Sequence, residues 1–160
     1  MVEVDLDQTE EWDDRDWRAL AERAVAEAFA VAGARPDRGI SLSICLATDD
    51  EVQALNAQWR GKDKPTNVLS FPMLDGEALD ALKNASPTGE ILLGDLILAY
   101  SVCLAEAAEK QIPLVDHVAH LIIHGTLHLL GYDHINEPEA EHMEALEVKA
   151  LASLGIANPY

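Results

Sequence analysis

Ile91-Leu92-Leu93-Gly94-Asp95-Leu96-Ile97-Leu98 is apolar almost throughout. Such a run reads as a strand buried at the centre of a sheet. Its Gly94 invites a bulge or a close approach by another backbone. Three further strands precede it. Val2 to Leu6 and Ile40 to Leu46 alternate apolar and polar residues, and Val68 to Met73 carries Pro72, the mark of an edge or a strand end. Between them Trp17, Leu20, Ala21, Ala24, Val25 and Phe29 recur at helical spacing, predicting a helix from about Asp13 to Ala32 stopped by Gly33, with Pro36 beyond. Thr48 and Glu51 form a capping box that opens a second helix carrying Val52, Leu55 and Trp59. Gly61 to Asn67 is a polar loop, and Asp75 to Gly89 a surface excursion with turn signals at Asp75-Gly76 and Pro87. Downstream the pattern is helical over Ser101–Gln111, Pro113–Leu130 and Glu137–Leu154, with Pro113 in a first turn and Asn136 capping toward Glu139. Strands early, a central strand and then three helices predict an α+β fold: a single domain, 1–160, with a small mixed β-sheet packed by about five helices.

Composition narrows the classes. An apolar content of 49% with 25% charged residues is that of a soluble globular protein, large enough at 160 residues to bury a core without staples. Cys45 and Cys103 sit in apolar surroundings and form no CxxC pair, so they are expected as buried thiols in a reducing compartment. The first residues lack the basic-then-apolar order of a signal peptide, and no apolar run approaches the roughly 18 residues of a membrane span. A cytoplasmic protein with no membrane partner is the expectation. The net charge of −18 gives no long-range attraction to nucleic acid. Any RNA contact must therefore come from a local cluster. Of eleven basic residues, Arg60, Lys62 and Lys64 fall within five positions and are the candidate phosphate contact; the plainer reading is a solvated turn.

His124 and His128 are four apart, so on a helix their imidazoles sit one above the other and can share a metal. Gly131 suits a left-handed helix end, after which the chain can double back and offer His134. Three neutral nitrogens without a fourth protein ligand describe an open site, the arrangement of catalytic rather than structural zinc. His117 and His120 share the same stripe, but His117 lies about 16 Å from His128 along the axis and cannot serve the same ion. His120 is left between a contact supporting the site and a packed core residue, and His117 and His142 are expected at the surface. The spacing is that of HExxH zinc proteases, yet the position of their general-base glutamate is Gly125, which disfavours peptide hydrolysis.

The stretch His-Gly-Thr-Leu-His-Leu-Leu-Gly-Tyr-Asp-His, His124 to His134, resembles the motif of the YbeY family of ribosomal RNA maturation endoribonucleases. Leu55-Asn56, Trp59 to Pro72, Leu93-Gly94-Asp95, Met143 to Glu147 and Asn158-Pro159-Tyr160 resemble further family segments in the expected order. The stretch to Pro36 and the Asp75–Gly89 loop carry little of the likeness. The resemblance implies a metal-dependent, single-strand-specific endoribonuclease acting in 16S-type rRNA 3′-end maturation and ribosome quality control. It implies one Zn2+ ion, with Ni2+ an alternative, on His124, His128 and His134. Arg60 is then the basic catalytic residue, with Lys62 and Lys64 as further substrate contacts. Single-stranded RNA, ribosomal RNA and ribosomal particles are the implied partners. Asp95 orients a ligand or loop, or simply satisfies backbone donors at a strand end. Two other readings stand: a ribosome-assembly factor whose metal is mainly structural, and a metallohydrolase of another phosphoester.

Overall fold

The computed structural model describes residues 2–34, 39–79 and 91–160. Its element order is β1 (Glu3–Gln8), α1 (Trp17–Ala32), β2 (Ile40–Ala47), α2 (Asp49–Arg60), β3 (Val68–Pro72), β4 (Ile91–Ala99), α3 (Tyr100–Lys110), α4 (Leu114–Leu129) and α5 (Glu137–Ser153). The strands form one sheet in the order β1-β2-β4-β3, with β1, β2 and β4 parallel and β3 antiparallel to β4. This is the mixed sheet of an α+β fold. Pro72 closes the edge strand β3, where its missing N–H costs nothing. Pro36 and the part of the predicted excursion that holds Pro87 lie outside the described residues.

Gly94 acts as its sequence position predicts. The β2–β4 register slips between Ser41, opposite Leu92, and Ser43, opposite Asp95. The extra residue turns Leu93, Leu96 and Leu98 all toward the helices, where strict alternation would separate Leu93 from the other two. A Cβ on Gly94 would lie 2.4 Å from the Phe71 carbonyl oxygen. On that face Ile40, Leu42, Ile44 and Leu46 of β2 meet α1, α4 and α5 in the main core. The opposite face is covered in part by α2, through Val52 and Leu55 against Leu69, Ile97 and Ala99. Trp59 therefore stays 64% exposed at the end of the α2 stripe, and Cys45 is only half-buried, whereas Cys103 is fully enclosed and burial pushes its thiol up to about 12.

The helix ends follow local chemistry. The Thr48 hydroxyl accepts from the Glu51 amide at 3.2 Å, and Asn136 accepts from Glu139 at 3.0 Å. α1 begins four residues later than its periodicity predicts. Asp13 instead binds the Arg15 amide at 3.2 Å and its guanidinium at 2.7 Å, and Asp16 becomes the cap, accepting from Ala19.

Candidate metal centre

α4 is buried on nearly every side and runs across β4. It can approach that closely because Gly125 has no side chain: a Cβ there would stand 2.6 Å from Leu96 Cδ2. The position that holds glutamate in HExxH enzymes is thus one where no side chain fits. On the other side of the helix His124 and His128 face a cleft, and the helix ends at Gly131, whose φ of 99° turns the chain back. His134 then arrives with its ring 5.1 Å from His128 and 5.6 Å from His124. One nitrogen from each of the three lies within 4.8 Å of the others, a group that can hold a metal ion.

Hydrogen bonds behind the rings decide which nitrogen each presents. His128 Nδ1 meets the Tyr132 carbonyl oxygen at 3.0 Å, and a carbonyl only accepts, so Nδ1 carries the hydrogen and Nε2 a lone pair. His124 Nδ1 likewise donates to Glu147 Oε2 at 3.1 Å. The two Nε2 atoms face each other at 3.0 Å. Two lone pairs so placed repel unless a cation lies between them. Burial, then His124, pushes His128 below the usual histidine range, which favours the neutral ligating form. The donor set is the one a borderline divalent ion takes.

Glu147, on α5, is the functional residue that sequence reading missed. Its carboxylate is buried and accepts from His120 Nε2 at 2.5 Å, Tyr160 Oη at 2.7 Å and His124 Nδ1. Burial alone would raise its pKa, but the bonds from His120, His124 and Tyr160 outweigh it and hold the carboxyl at about 2. The signal was present in the sequence: Glu147 shares the buried stripe of α5 with Met143, Ala150 and Leu151. His120 is therefore a buried supporting contact. His117 corrects the surface expectation: it is buried and bonds Glu106 at 2.8 Å, which in turn accepts from Asn67. Burial lowers its pKa, with Glu106 opposing the shift. His142 is exposed, its ring against Tyr132.

The cleft beside the histidines has a volume of about 640 Å³, and Arg60, Lys62 and Lys64 all line it. Asn56, buried at the end of α2, organises that wall: its side chain donates to the Lys64 carbonyl at 2.9 Å and its own carbonyl accepts from the Lys62 amide. Arg60 donates to the Ser70 carbonyl at 3.0 Å and pairs with no carboxylate among the described residues, so its charge is left for the cleft. Asp95 is brought to neither wall. It lies on the opposite face of the sheet, in a groove with Asp5, Asp7 and Trp59.

Comparison with known proteins agrees with this arrangement. The family model described as endoribonuclease YbeY matches residues 3–155. The chain belongs to the YbeY endoribonuclease family. A relative named endoribonuclease YbeY from Rhizorhabdus wittichii is 54% identical over 165 residues, spanning 100% of this chain and 97% of its own. Another of that name, from Zymomonas mobilis, is 50% identical, spanning 100% and 93%. The solution structure of TM1509 from Thermotoga maritima has the same fold, with a TM-score of 0.57 at 22% identity over 97% of this chain and 92% of that one. The YbeY likeness thus includes the first 36 residues, where no family motif was legible. No described helix is long and apolar enough to cross a membrane.

Proposed function

We propose that this chain is a cytoplasmic, metal-dependent endoribonuclease that cleaves single-stranded RNA during 3′-end maturation of 16S-type rRNA and in ribosome quality control. One observation carries the reading. Two imidazoles with fixed tautomers turn their Nε2 lone pairs on each other at 3.0 Å, at the mouth of a cleft whose other wall is basic. His124, His128 and His134 would hold the ion, with zinc the best match for three nitrogen donors and nickel an alternative. When bound, zinc supplies Lewis acidity toward a phosphoryl oxygen and acidifies water near neutral pH.

The chain's own residues do the rest. Arg60 presents a planar fork that takes a phosphate through paired N–H donors. Lys62 and Lys64 offset charge on flanking phosphates, and Asn56 fixes the loop that carries them. The cleft volume is in the range of sites that enclose a single small ligand, about 300–1,000 Å³. With a net charge of −18, encounter with RNA is guided by a partner such as a ribosomal particle rather than by the protein's own field.

The test is cleavage of a labelled single-stranded RNA spanning a small-subunit rRNA 3′ end by wild type and by folded His124→Ala. Cleavage by the wild type alone is expected, and product ends then separate hydrolysis, giving a 5′-phosphate, from attack by a 2′-hydroxyl, giving a 2′,3′-cyclic phosphate. Equal cleavage by both proteins overturns the proposal.

A further inference from the structure

Glu147 is buried on the inner face of α5, where a leucine would pack as well and cost less desolvation. Its two oxygens are nevertheless fully allotted. Oε1 takes the hydrogen of His120 Nε2 and that of Tyr160 Oη, while Oε2 takes the hydrogen of His124 Nδ1. Tyr160 is otherwise largely exposed, yet its hydroxyl reaches inward to this carboxylate and its ring stands edge-on to His120 at 5.6 Å. The first two bonds fix where Glu147 lies; the third transmits that placement to His124. A carboxylate behind a ligating imidazole sets its tautomer, holds its plane and raises its basicity.

We propose that Glu147 is a positioning residue for His124, held in place by His120 and Tyr160, and that this trio sets the metal affinity of the centre. The inference rests on the metal reading above. It also assigns Tyr160, which touches none of the three histidines of the centre, a measurable share in metal retention. Its share is smaller than that of Glu147 because it acts one bond further back.

The test uses the full-length chain, with zinc titrated against a chromophoric chelator and cobalt(II) absorption as a second readout. Glu147→Gln is expected to weaken zinc binding by about 10–100-fold and to alter the cobalt spectrum. Tyr160→Phe, which keeps the ring and removes only the hydroxyl, is expected to weaken it by about two- to tenfold. If Glu147→Gln does not fold, Tyr160→Phe alone carries the test. Unchanged affinity and spectrum in the folded variants, with or without a lower Tm, would mean a purely structural role and overturn the inference. His124→Ala separates the two levels of argument. Wild-type binding that His124→Ala does not reduce defeats the metal reading itself, whereas binding that depends on His124 but not on Glu147 or Tyr160 defeats only the positioning role.

Discussion

At the residue scale, the chemistry concentrates in a few side chains whose removal has separable effects. Arg60→Ala removes a preorganised donor and is expected to lower kcat/KM on single-stranded RNA by about 100-fold or more, with Arg60→Lys recovering part of it because charge returns without the fork. Steady-state kinetics on one oligonucleotide checks both. Glu147 predicts an acid response of the metal-free protein. Its carboxyl is held at about 2, below the ordinary 4.5, so the unfolded chain takes up this proton first. Its contribution is therefore complete above about pH 4.5 and is lost as pH falls through about 2. Acid unfolding followed by circular dichroism should show that loss in the wild type and a flatter profile in Glu147→Gln. Gly94→Ala sets a methyl group against a backbone carbonyl that cannot rotate away, and chemical denaturation should report a loss of at least about 3 kcal/mol.

At the element scale, what could be read in advance depended on how local the cause was. The alternation of Ile40–Leu46, the Thr48 and Asn136 caps and the Gly94 bulge are written within a few residues, and each stands where the sequence places it. The late start of α1 was missed because a polar turn at Asp13 overrides an apolar period that itself begins only at Trp17. His117 was misplaced because its partner, Glu106, comes from α3, and periodicity carries no information about a neighbouring helix. The histidine trio was legible from spacing alone, whereas the carboxylate behind it required knowing that α5 packs on α4. The same limit hid the cap of α3. Its N-cap residue, Ala99, offers no side chain, and Asp49 from α2 accepts the Ser101 and Val102 amides at 3.1 and 3.2 Å. Asp49→Ala is expected to cost about 1–2 kcal/mol in thermal or urea unfolding although it lies in a different helix.

At the scale of the whole molecule, an acidic protein with one small basic wall should bind RNA with a shallow salt dependence. Three cations on a single strand give a slope of log K against log salt of about −2, and Lys64→Ala should reduce it by about 0.7. Titrations across salt concentrations measure it. Chelation should abolish cleavage and leave far-ultraviolet dichroism almost unchanged, because the core of α1, α4, α5 and the sheet is complete without the ion. The burial of α4 has a further consequence, for time rather than for affinity. Its amides sit in the middle of the core, so they exchange with deuterated water only when the entire chain opens. The loop 61–67, tied down through Asn56 and one carbonyl at Ser70, exchanges through small local openings. One jaw of the cleft therefore keeps its shape over hours while the other breathes within seconds, and strands of differing path are met by the jaw that yields.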